Sequence, residues 1–282
     1  MEQSPWEKLP LYFSFSASAG ALHRGDQNLD TAAAVQRTEF APRVTIPLHF
    51  GPWLGVTTTA AFRTTRFGAS LESTGTLSEQ SVTRNTGEFT LEVRPPALER
   101  VFSRDGSDTK WKHTIEPEIT YRNVTRVNGF GRFIRFDEDS TLTDTNEVEY
   151  SVTQRLFRKV GNGGAEELAS WRVVQKRYFD PTFGGAIAPG QRNVFQALNS
   201  ITPFAFADGP RNTSPVVSDV KIMPGAGYDA EQILEYDSAE KKLTAIGTLA
   251  KIKPYSNFFA TIAHFRVSSD PLLQPISHQV RA

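Results

Sequence analysis

Polar and apolar residues alternate one for one along segment after segment of this chain. In LPLYFSFSASAGAL the odd positions Leu11, Phe13, Phe15, Ala17, Ala19 and Ala21 are apolar, and Tyr12, Ser14, Ser16, Ser18 and Gly20 lie between them. GEFTLEVR sets Phe89, Leu91 and Val93 against Glu88, Thr90, Glu92 and Arg94. NEVEYSVTQRLF sets Val148, Tyr150 and Val152 against Glu147, Glu149, Ser151 and Thr153, with Arg155 on the polar side. WKHTIEPEITYR carries Trp111, His113, Ile115, Pro117, Ile119 and Tyr121 on one face and Lys112, Glu116, Glu118 and Arg122 on the other. Successive side chains of a strand point to opposite faces, so this period makes two-faced ribbons. A helical period is nearly absent; only GGAEELAS, around Ala165 to Ala169, suggests one turn.

The pattern predicts strands near 11–23, 32–50, 54–70, 82–94, 111–122, 146–158, 169–180, 215–223, 226–236, 242–252 and 256–267, with a twelfth starting near 278. Several reach the roughly 9–11 residues that a tilted strand needs to cross a bilayer. The connections alternate in length. Those at 24–31, 71–81, 123–145, 181–214, 237–241 and 268–277 include the longest. Those at 51–53, 159–168, 224–225 and 253–255 include most of the tight turns, with 95–110 as the long exception. An up-and-down meander puts the two sets at opposite ends, as in outer-membrane barrels. A two-sheet sandwich also alternates polar with apolar, its apolar face inward. Strand length, loop alternation and the aromatics Trp111 and Tyr121 bracketing an apolar face favour the barrel, with the charged face lining a wet interior. The expected fold is therefore all-β, an antiparallel up-and-down transmembrane barrel.

Twenty Phe against two Met agree with sheet. Formal net charge is zero, so no global field favours nucleic acid. The chain has no cysteine, which removes disulfides, thiolate metal sites and a cysteine nucleophile. No run of about 18 apolar residues offers a transmembrane helix, and the first residues lack a signal-peptide pattern. The chain starts almost on a strand and stops at ISHQVRA, inside what reads as a new strand rather than on a terminal aromatic. The expectation is that residues 1–282 are part of one larger barrel domain, with a periplasmic domain and the last strands outside them.

The segment from His113 to Lys159 resembles the LptD family of lipopolysaccharide-assembly outer-membrane proteins. The likeness rests on Glu116-Pro117-Glu118-Ile119-Thr120-Tyr121, Phe136-Asp137, Asn146-Glu147 and Gln154-Arg155-Leu156. Trp171 to Pro181 (WRVVQKRYFDP) and Ala41 to Phe50 (APRVTIPLHF) are similar to further family strands, and the stretch from Ser214 to Tyr255 resembles acidobacterial-type members. The resemblance covers most of residues 40–267. It implies a large barrel at the cell outer membrane, plugged by an LptE-like lipoprotein and fed by a periplasmic bridge of Lpt components. Lipopolysaccharide would be the cargo and outer-membrane lipid the destination. No enzymatic activity and no cofactor are implied. The inter-domain disulfide cysteines of the family have no counterpart in this chain.

The lumen-facing candidates are Lys112, Glu116, Glu118, Arg122, Glu147, Glu149 and Arg155. No catalytic constellation is legible. His23, His49, His113, His264 and His278 are dispersed without metal-ligand spacing. The acidic run from Phe136 to Ser140 offers Asp137, Glu138 and Asp139 as weak oxygen ligands for a divalent cation; a solvated loop is the plainer reading. Arg122, Arg126, Arg132 and Arg135 flank that run and suit either lipid phosphates or those same carboxylates. Pro42, Pro47 and Pro117 sit inside strand patterns, where proline removes a ladder donor and marks a bulge or bend. A general outer-membrane porin and a soluble β-sandwich binding module are the alternatives to the transport reading.

Overall fold

A computed structural model of the chain describes residues 10–25, 31, 34–103, 105–125, 129–134, 136–137, 144–161, 163–179, 212–225, 227–255, 258–267 and 277–281. The strands are β1 (Tyr12–Leu22), β2 (Val35–Phe50), β3 (Leu54–Phe67), β4 (Ser70–Leu71), β5 (Leu77–Ser78), β6 (Val82–Arg94), β7 (Leu98–Ser103), β8 (Thr109–Thr125), β9 (Thr145–Val160), β10 (Ala165–Tyr178), β11 (Val216–Gly225), β12 (Tyr228–Asp237), β13 (Lys242–Tyr255), β14 (Phe258–Val267) and β15 (Ser277–Arg281). One short 3₁₀ turn, Phe130–Arg132, precedes β9, and the described residues contain no α-helix. Apart from the small β4–β5 hairpin, all strands join one antiparallel sheet in chain order, with β7 as an extra partner of β8. A sandwich needs two sheets, so the soluble sandwich is not the architecture.

The ladder registers show how steeply the strands are staggered. A rung perpendicular to them runs Ile46, Thr58, Leu91, Tyr121, Val148, Arg177. It crosses β2 near the short-turn end at Phe50 and crosses β10 beside its opposite end at Tyr178. The stagger is roughly eight residues over five strand steps, which at about 3.3 Å per residue and about 4.8 Å per step is a tilt of roughly 45°. Strand tilt of this size is what closing or spanning a barrel wall demands.

Register also assigns the faces. One face carries Phe13, Phe15, Phe40, Val44, Phe62, Phe89, Leu91, Ile119, Tyr150, Val152 and Ile222, many of them exposed. Along β1–β14 its charged residues stand only near the strand ends: Arg66 and Arg177 toward the long loops, Arg100, Arg158 and Glu166 toward the short turns, and Arg266 near the long-loop end of β14. Trp111 and Tyr121 lie on this face ten positions apart; at about 3.3 Å per residue and roughly 45° of tilt they are separated by roughly 23 Å along the membrane normal, close to the apolar band of outer-membrane barrels. Tyr121 packs with Phe89 and Phe179, at centroid distances of 6.2 and 6.3 Å. Polar groups within the band are satisfied across strands. Trp171 Nε1 donates to Ser218 Oγ at 3.0 Å, Tyr150 O–H donates to Gln175, and His113 Nε2 lies 3.1 Å from Gln154 Oε1.

Three expectations from the sequence change. The stretch from Ala165 to Ala169 is not a helical turn but the first part of β10, with a bulge between Glu167 and Ala169. The long connection 95–110 is mostly strand. β6 pairs with β8 down to Val93–Ile119, and β7 resumes at Leu98–Ile115 with the register moved by one residue. β6 and β7 thus act as one strand with a bulge at Pro95 and Pro96, and the residual turn is 104–108. The gap in the ladder faces Pro117, which has no N–H to donate. Likewise Pro42 lies where the β2–β3 ladder skips from Phe40–Thr64 to Arg43–Ala61, and Pro47 lies past the last β1–β2 pair, Tyr12–Thr45. The third change follows: the short-turn set becomes 51–53, 104–108, 161–164, 226–227 and 256–257, so the loop alternation is sharper than the sequence suggested. At the other end the one tight connection, from Asp237 to Lys242, closes because Asp237 Oδ1 accepts from the Ala239 and Glu240 amides at 2.8 and 3.1 Å, with Lys241 at φ 54°.

Candidate functional site: the charged inner face

The opposite face of the same strands is charged, and part of it is deeply buried. Glu147 and Lys176 are 2% and 4% exposed, whereas Phe13 and Phe15 on the outer face are 47% and 56% exposed. Burying charge is tolerable only with partners, and the strand pairing supplies them. Glu149 stands directly opposite Lys176 on β10. Lys176 Nζ reaches Glu147 at 2.8 Å and Glu149 at 3.8 Å, and Arg172 donates to Glu149 at 3.1 Å. Thr145 Oγ1 donates to the other Glu147 oxygen at 3.0 Å.

The pattern recurs around the sheet, where four further cations are each bracketed by two carboxylates. Arg155 donates to Glu116 and to Glu167, both at 3.1 Å. Arg63 bridges Glu39 at 2.6 Å and Glu88 at 2.8 Å. Arg94 lies 2.7 Å from Glu92 and 3.5 Å from Glu118. Lys221 lies 3.5 Å from Asp219 and 3.2 Å from Glu231. Lys112 meets Glu99 at 3.4 Å and lies over the Phe157 ring. Arg122 stands opposite Glu147 in the ladder. All seven residues read from the sequence thus share one face. They are joined there by Glu88, which the sequence reading put on a polar face, and by Glu39, Arg63, Arg172, Lys176 and Lys221, which it did not name. Alternation alone marks them as polar-side residues; only the register shows which strand positions meet.

Asp137 accepts from Arg37 Nη1 at 2.6 and 2.8 Å. This partner is 100 positions upstream and is none of the four flanking arginines. Arg126, Arg135, Glu138 and Asp139 lie outside the described residues, as does the acidic run beyond Asp137. Among the described residues no three His, Asp or Glu side chains cluster as metal ligands.

Cross-strand ion pairs line this face with many hydrogen-bonding groups. Such a surface suits hydrated, polar cargo rather than tight capture of one charged ligand.

Residues 1–280 match the family described as LptD: LPS transport system D. The chain belongs to the LptD family. No curated protein matches it. LptD proteins are outer-membrane proteins of lipopolysaccharide transport and outer-membrane assembly, not an enzyme family. Membership supports a role for this chain in that process, with lipopolysaccharide as substrate and other Lpt components as partners. The single tilted sheet, apolar outside and charged inside, is the barrel wall that such a role requires.

Proposed function

We propose that this chain forms part of the wall of an outer-membrane conduit that inserts lipopolysaccharide into the outer leaflet. The observation that carries the reading is the segregation of the two faces: apolar side chains outside, compensated charge inside, on strands tilted as a spanning wall. Sugars and phosphates would travel along the inner face, where Lys112, Glu116, Glu118, Arg122, Glu147, Glu149 and Arg155 stand, while acyl chains pass to lipid. Residues 1–282 would be one part of a single barrel domain, with a periplasmic domain and further strands belonging to the same protein. An LptE-like lipoprotein would plug the lumen and a periplasmic Lpt bridge would deliver the cargo.

Depletion of the full-length protein in cells tests this. Newly made lipopolysaccharide should cease to reach the cell surface and should accumulate inside the envelope. Unchanged surface lipopolysaccharide after depletion would defeat the reading, and a general porin would take its place.

A further inference from the structure

The outer face carries charge at both of its edges, but the two edges differ. At the short-turn end Arg158 Nη2 lies 3.6 Å from Glu166, and the Arg100 guanidinium lies 5.0 Å from the Phe102 ring centroid. At the long-loop end the charged residues are Arg66, Arg177 and Arg266, and all three are exposed. Among the described residues none of them meets a carboxylate; Arg66 Nη2 donates to Ser81 Oγ at 3.4 Å. Each stands next to last in its strand, in β3, β10 and β14. Thr38 and Thr83 flank Arg66 on the same face, both exposed, and add hydroxyl donors.

The ladder registers put the three arginines at one depth. Arg66 is eight positions beyond Thr58, whose rung crosses four strand steps to Arg177. Arg177 is four positions beyond Val173, whose rung crosses four steps to Arg266. At about 3.3 Å per residue, about 4.8 Å per step and roughly 45° of tilt, all three fall within roughly 5 Å of one level. Arg177 shares a rung with Tyr121 two steps away, and so lies roughly 7 Å beyond it along the membrane normal. Tyr121 marks the edge of the apolar band, so the arginines stand just outside hydrocarbon, where polar headgroups begin.

We propose that Arg66, Arg177 and Arg266 form a belt on the outside of the wall that binds the phosphate groups of lipopolysaccharide in the surrounding outer leaflet. A guanidinium offers paired donors in a plane that matches phosphate oxygens. The long-loop end of such a barrel faces outward, so the belt stands in the leaflet that the proposed conduit fills. Lipid phosphate supplies the anion that the outer face itself lacks at this end. The belt rests on the reading that the sheet is an outer-membrane wall with its long loops outward, and not on delivery of lipopolysaccharide by this chain.

The test uses the full-length protein with its native envelope partners, in phosphatidylcholine nanodiscs holding a trace of spin-labelled lipid A. The motionally restricted fraction of the label reports lipid held at the wall. The parent should select bisphosphorylated lipid A over spin-labelled phosphatidylcholine several-fold. The combined variant Arg66→Gln, Arg177→Gln, Arg266→Gln should lose most of that selectivity, and each single change a part of it. Arg66→Lys, Arg177→Lys, Arg266→Lys should keep more of it than the glutamine variant. Removing the phosphates from lipid A should bring the parent down to the variant's level and leave the variant unchanged. If the combined variant selects lipid A like the parent, the belt is overturned; if that variant does not run as a folded barrel on unheated gels, parent-like selection by all three single variants overturns it. It is equally overturned if the parent holds phosphate-free lipid A as well as the phosphorylated form, or holds phosphatidylglycerol as strongly as lipid A. Lipid selection is read without any transport, so its failure is distinguishable from failure of the transport reading in the depletion experiment.

Discussion

The two faces of β9 are built from alternate residues of one segment, yet they obey opposite rules. Glu147, Glu149 and Arg155 face inward and find partners on β8 and β10 within about a hydrogen-bond length. Val148, Tyr150 and Val152 face outward, where Tyr150 and Val152 are exposed without harm. On the outside, exposure of apolar groups would be costly in water and is favourable in hydrocarbon. On the inside, buried charge such as that of Glu147 is stable because a cation meets it. A single residue slip would reverse both assignments at once, so register is the quantity that both faces jointly protect.

The comparison can be broken most forcefully from the inside. Lys176→Ala would leave Glu147 buried with its cation removed. We expect a loss of about 3–5 kcal/mol, read as a lower urea midpoint for the folded form in lipid vesicles. A loss under about 1 kcal/mol would mean that water reaches Glu147 and that this face is not enclosed.

The outer face should respond to charge in the opposite sense. Val152→Arg places a cation among apolar side chains of the band and should cost about 2–4 kcal/mol. The same change one position along, at Thr153 beside Glu116 and Arg172 on the inner face, should cost much less. Equal costs at both positions, measured by the same unfolding titration, would erase the distinction between the faces.

The smallest effect sharpens the picture of the band. Trp171→Phe removes the donor to Ser218 and should destabilise by about 0.5–1.5 kcal/mol. Because water is absent from hydrocarbon, the Ser218 hydroxyl could not be repaired by solvent. A further change of Ser218→Ala in that background should recover part of the loss; no recovery would show that the hydrogen bond is not maintained in the membrane.

Much of this architecture is written in short-range pattern. The alternation of Phe89, Leu91 and Val93 with Glu88, Glu92 and Arg94 defines a two-faced strand without any knowledge of its neighbours. Where the pattern misled, a local signal competed. GGAEELAS carries residues that favour helix, but its place between β9 and β11 makes it strand, and the bulge at Glu167 to Ala169 is what disturbed its period. The proline pair at 95 and 96 looked like the start of a loop, whereas β8 offered an edge on which the strand could resume after one extra residue. Asp137 reads as one of several loop acids; its partner Arg37 is visible only once the loop folds inward.

The sequence by itself determined that the chain is two-faced sheet, where most strands run, and that polar groups of both signs share one side. Those properties follow from the strand period, which is local. The tertiary structure decided the tilt, which cation meets which carboxylate, and the burial of Phe133 and Ile134 against Val35, Phe67 and Val82. They depend on the stagger between strands and on where a long connection comes to rest, and residues far apart in the chain settle both.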